Sequence, residues 1–258
     1  MSGSALEKDS PARKLSLLND RGAHVRKLME QATIEEIADL WKQIDISAIY
    51  HDCALEGQVI SPDELESAFD PRAITDAANL QLYTSLRSHR SAFDLMRKLA
   101  SGPNLVFSMN MFKEFHVLFA TKNEEANAAD FRREIPLHRS YFQEINEPTI
   151  IKTNMRKLIS WLNDTHETDK LHPVVCASRF HAQFMNIFPF RNTSGKVGRI
   201  VMNLILTRNG CLPSVIHATE RQRYYEALRQ PEEPALTDLI IESVMASFDA
   251  AVRFFRRN

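Results

Sequence analysis

Phe188-Pro189-Phe190-Arg191-Asn192-Thr193-Ser194-Gly195-Lys196-Val197-Gly198-Arg199 lies between two stretches of helical apolar spacing. Upstream, Pro173 stands at a first helical position, and Val174, Ala177, Phe180, Phe184 and Ile187 then share one face. Downstream, Val197, Val201, Leu204 and Ile205 resume the period until Gly210 and Pro213 stop it. The twelve residues therefore read as a short polar loop that feeds a helix N-terminus. Such an end presents unpaired backbone N–H groups and the positive end of the helix dipole, which together make a seat for an anion. Lys196 and Arg199 fall within the first turn or so and can close on further phosphate oxygens. On these residues alone, a capped connection with two solvated cations is the favoured reading.

Outward from this stretch, helix signals dominate. Thr33 and Glu36 form a capping box ahead of Ile37, Leu40, Trp41, Ile44 and Ala48. Ser61-Pro62-Asp63-Glu64 is a second start signal. A further helix is expected around 70–99, with a break at Ser101-Gly102-Pro103 and a short helix from Met109 to Phe119. Residues 131–145 have no clean period and read as an extended loop or small hairpin. From Pro148 the period returns through Ile151, Met155, Leu158, Ile159 and Leu162, and a last helix runs from Ala235 to Phe255. Residues 1–30 are polar, and the first twenty read as loose. The expectation is a mainly α fold in one domain: a polar segment (1–30), N-terminal helices (31–100), a core (101–230) and a C-terminal helix (231–258).

Composition narrows the function classes. Across 258 residues, 32 basic and 33 acidic side chains leave a net charge of −1, so no global field draws the chain to nucleic acid or anionic lipid. No apolar run is long enough for a membrane span. The polar start MSGSALEKDSPARK has no apolar h-region. Three scattered cysteines, Cys53, Cys176 and Cys211, fit no disulfide framework and suggest a reducing, cytoplasmic setting. Seven glycines are few for a Gly-rich dinucleotide fold. Three familiar motifs fail. The Gly195-Lys196 pair lacks the rest of a phosphate-binding P-loop, His166-Glu167 lacks the second histidine of a metalloprotease helix, and there is no GxSxG elbow.

The 188–199 stretch resembles the signature of the Fic (Fido) family, HPFx[D/E]GN[G/K]RxxR. The resemblance continues through FHAQFMNIFPFRNTSGKVGRIVMNLILTRNG, through residues 131–142 with the helix that follows, and through Arg221 with Tyr224-Tyr225-Glu226-Ala227-Leu228. Upstream, Tyr50 to Gln58 is similar to the family's inhibitory motif, [S/T]xxxE[G/N], with Glu56 at the glutamate and Asp52 where the family has Ser or Thr. It covers roughly residues 45–230. It implies a helical bundle with a small β-hairpin flap over the loop, and a lineage that moves AMP from ATP to a hydroxyl of a target protein with Mg²⁺. It places the inhibitory glutamate near 50–58, where Glu56 would pair with Arg199 and block the outer phosphate seat.

Residue by residue, the resemblance puts Phe188 at the position of the family's catalytic histidine. A phenyl ring has no lone pair and cannot take a proton at any pH. Asn192 stands at the acidic position and offers Mg²⁺ only a neutral oxygen, a weaker ligand. Thr193 and Ser194 replace Gly-Asn, and their hydroxyls are expected at phosphate. Gly195 matches, Lys196 keeps charge but loses arginine's bidentate geometry, and Arg199 matches as the outermost contact. The expected partners are a nucleotide and a target protein of unknown identity, with a homodimer left open. Two functions follow: a Fic protein that binds nucleotide but is impaired in transfer, or a non-catalytic nucleotide-sensing or protein-interaction module.

Overall fold

The computed structural model describes residues 10–70, 80–120, 131–136, 144–230 and 234–257. Among them the chain is helical, with no strand. The principal elements are α1 (Pro11–Gln31), α2 (Ile34–Leu55), α3 (Pro62–Phe69), α4 (Leu80–Ser101), α5 (Met109–Phe119), α6 (Ile151–Leu162), α7 (Thr165–Thr168), α8 (Pro173–Ile187), α9 (Ser194–Arg208), α10 (Arg221–Arg229) and α11 (Ala235–Arg257). Both expected capping boxes form: Thr33 and Glu36 open α2, and Ser61 and Glu64 open α3.

α9 is the axis of the molecule. Only Lys196, Thr207 and Arg208 of its fifteen residues escape burial, the profile of a helix enclosed on every side rather than an amphipathic surface helix. It packs against α8, α4 and α5, while α11 covers α8 and α1 lies along α11. Its polar N-terminal turn is therefore held deep in an apolar frame, which makes any charge there expensive to leave unpaired.

Two expectations need correction. The first twenty residues, expected loose, include the start of α1, which is capped by Ser10 and buries Leu18, Gly22 and Val25. The interrupting charges dilute that stripe in the sequence, and α11 supplies the surface that stabilises it. The hairpin expected over 131–142 is not found among the described residues: 131–136 carry no strand, and 137–142 lie outside them. What is described does cover the 188–199 loop, because Arg132 N donates to Pro189 O at 2.9 Å. Residues 71–79 of the helix expected over 70–99 lie outside the described residues, and α4 begins at Leu80.

Candidate functional site

The loop begins where α8 stops. Phe188 has φ 46° and ψ 63°, the only non-glycine residue with positive φ among those described. A left-handed conformation costs a side-chain-bearing residue about 1–2 kcal/mol. Two things hold it there. The ring is 1% exposed, packed into the core, and Arg132 caps the helix end. Its Nε donates to Phe188 O at 2.6 Å, Nη1 to Glu134 O at 3.1 Å, and Nη2 to Ile187 O at 3.3 Å and to Asn146 O. One guanidinium thus satisfies carbonyls that a helix terminus leaves without intrahelical donors.

The second half of the loop is braced from within. Ser194 Oγ donates to Phe190 O at 2.6 Å and accepts from Phe190 N at 2.7 Å. Thr193 Oγ1 lies 2.6 Å from His116 Nδ1, and the His116 ring stacks on Phe190 at 4.1 Å. Both hydroxyls, expected at phosphate, are therefore turned into the protein, and Thr193 and Ser194 are buried. What this turn offers an anion is its backbone N–H groups, together with Lys196 and Arg199.

A carboxylate already occupies that approach. Glu56 Oε1 accepts from Arg199 Nη2 at 2.8 Å. A Cβ added at Gly195 would overlap Glu56 Oε1 and lie 3.0 Å from Arg199 Nη1. Gly195 is thus what lets an inward-pointing acid rest on the first turn of α9. Glu56 reaches it because α2 ends there in a Schellman turn: Gly57 N donates to Ala54 O at 3.0 Å and Gln58 N to Cys53 O at 2.9 Å, with Gly57 at φ +83°. Arg221 Nε and Tyr225 Oη both donate to Leu55 O, at 3.1 and 3.3 Å, and tie that helix end to α10.

Sequence reasoning missed the rest of the network. Arg199 Nε donates to Asp52 Oδ1, and His89 Nε2 lies 2.9 Å from Asp52 Oδ2. A carboxylate only accepts, so His89 Nε2 carries the proton. Burial pushes the Asp52 carboxyl up, but the Arg199 guanidinium and His89 outweigh it and hold it well below the usual carboxylate range. Burial lowers His89 despite Asp52, keeping it neutral at pH 7. On the other side, Arg199 Nη1 donates to Tyr224 Oη at 3.5 Å, which lies 2.7 Å from His181 Nε2. Burial and Arg199 lower His181 to about 3. His181 is thus a packed core residue. His51 stacks on His217 at 4.1 Å. The i, i+4 spacing of Asp52 and Glu56 was the available signal for two acids on one helix face.

Residues 106–206 match the model of the Fic/DOC family. They belong to that family. "Protein adenylyltransferase Fic" of Aedes aegypti is 24% identical over 192 residues, covering 74% of this chain and 38% of that protein. Its Drosophila persimilis namesake is 23% identical over 228 residues, covering 87% and 41%. The chain therefore spans well under half the length of these curated relatives. Among solved structures, a Fic domain containing signaling protein from Bacteroides thetaiotaomicron superposes with TM-score 0.80 at 16% identity, over 95% of this chain and 98% of that one. Fic-1 from C. elegans gives 0.81 at 18% identity, over 97% and 74%.

The structure brings Gly195, Lys196 and Arg199 of the matched residues to one corner with Glu56, which lies outside the match, and leaves Phe188 buried and Asn192 exposed. Mg²⁺ favours carboxylate and phosphate oxygens, while position 192 supplies an amide, and the described residues contain no cluster of metal-ligating side chains. No described helix is long and apolar enough to cross a membrane.

Proposed function

We propose that this chain is an adenine-nucleotide-binding Fic protein in which AMP transfer to a target hydroxyl is impaired and in which Glu56 closes the outer phosphate seat. One observation carries the reading: the position of the family's base holds Phe188, 1% exposed and locked in a left-handed turn. An attacking hydroxyl must lose its proton as its bond to phosphorus forms. Loss of one general base typically removes about 10²–10⁴ in rate. His116 of α5 touches the loop, but it is itself buried and faces Thr193.

The nucleotide's phosphates would lie on the N–H groups of residues 194–196, with Lys196 and Arg199 matching their charge. When bound, ATP would supply the transferable AMP. The chain's own residues orient and neutralise it without taking a proton. Glu56 imitates a phosphate oxygen at Arg199, so its removal should raise affinity. The three cysteines are free thiols, which supports a reducing compartment such as the cytoplasm. The target protein would approach over residues 131–136, which already cover the loop.

The test combines titration calorimetry with labelling by α-labelled ATP. Wild type should show no self-labelling, and Glu56→Gly should bind adenine nucleotide more tightly than wild type. Strong labelling by wild type would sink the impaired-transfer reading. Absence of any adenine-nucleotide binding by either protein would sink the nucleotide reading.

A further inference from the structure

Arg199 carries two acids, not one, and they are held differently. Glu56 is the C-cap of α2, next to Gly57 at φ +83°, and its carboxylate meets Arg199 through a single bond to Nη2. Asp52 lies one turn earlier, within the helix, and is gripped from both sides by Arg199 Nε and His89 Nε2. Beside it, a cavity of about 20 Å³ is lined by Asp52, His89, Lys196 and Arg199 among others, room for roughly one water. Asp52 has nowhere to turn. Formal charges add accordingly. Lys196 and Arg199 face Asp52 and Glu56, with His89 neutral, so the corner is balanced while Glu56 is in place. When Glu56 leaves, one net positive charge remains.

We infer that Asp52 is a permanent counter-ion of Arg199 that disfavours a third phosphate, so that the opened site takes a nucleoside diphosphate in preference to a triphosphate. The inference rests on the nucleotide reading of this loop. Two phosphates can be met by the backbone N–H groups at the start of α9 and by Lys196. A third would approach a guanidinium whose Nε is already committed, with the fixed Asp52 carboxylate just behind it. Like charges brought together in a site closed to water cost more than they do at a surface.

Affinities for ADP and ATP, measured by calorimetry without divalent cation, test this in wild type, Glu56→Gly, and Glu56→Gly with Asp52→Asn. Glu56→Gly should bind ADP about tenfold more tightly than ATP. Adding Asp52→Asn should raise ATP affinity about tenfold and leave ADP nearly unchanged. Glu56→Gly binding ATP as tightly as ADP would overturn the inference while leaving the nucleotide reading intact. If none of the three proteins binds either nucleotide, the nucleotide reading falls and takes the inference with it. Should Asp52→Asn fail to fold, the ADP-to-ATP ratio in Glu56→Gly alone decides the matter.

Discussion

The two halves of the 188–199 loop differ from the motif they resemble in opposite senses. In the first half, Phe188 to Phe190, an uncommon backbone carries a side chain with no acid or base: Phe188 sits at φ 46° with a buried phenyl ring. The second half, Thr193 to Arg199, gathers two cations and a glycine at a helix N-terminus. Backbone geometry at the turn is imposed by neighbours such as Arg132, so it can outlast the chemistry. A seat for an anion needs only charge and free N–H groups, which many sequences provide.

The largest expected effect restores the missing half. Phe188→His combined with Asn192→Asp and Glu56→Gly should raise AMP self-labelling by at least about 10²-fold over wild type. The three positions share one site, so their effects should couple rather than add. A silent triple variant would mean that the first half has lost more than its base.

Next is the support under that half. Arg132→Ala removes donors from the carbonyls of Ile187, Phe188, Glu134 and Asn146. Buried unsatisfied groups cost about 1–3 kcal/mol each, so urea unfolding should show a loss of about 3 kcal/mol. A loss below about 1 kcal/mol would show that packing alone fixes the Phe188 turn.

In the second half, Gly195→Ala should cost about 1–3 kcal/mol through its collision with Glu56. Most of that should return in a Glu56→Gly background, where the overlapping oxygen is gone. Equal costs in the two backgrounds would show that Glu56 does not rest on the first turn of α9 in solution.

The last effect is electrostatic. His181 falls from 6.5 to about 3, through burial and then Arg199, so the unfolded chain takes up the proton first. Stability is full above about pH 6.5 and declines as pH drops toward 3, by at most ~1.4 kcal/mol per unit for this group. His89 shifts the same way. Asp52, held low, contributes in a separate window: its stabilisation is present above the ordinary carboxylate value and is lost only at more acidic pH. Melting temperatures between pH 7.5 and 5 should therefore fall with pH. A flat profile would mean that His181 reaches water.

The sequence by itself determined the helical class, most helix starts and stops, and the identity of the loop. Those are local: Thr33 with Glu36, Ser61 with Glu64, Pro173 and Gly210 act over one turn of chain, and the apolar period declares which segments are helical. Glu56 and Arg199 were legible as partners through family resemblance, although 143 residues separate them. Tertiary structure alone decided what surrounds them. Arg132 as the cap of α8, His116 on Thr193, and Asp52 wedged between Arg199 and His89 join segments with no sequence period in common. Tertiary structure also turned the Thr193 and Ser194 hydroxyls inward, because a buried polar group takes the nearest partner that satisfies it, and which partner is nearest is a property of the packed fold.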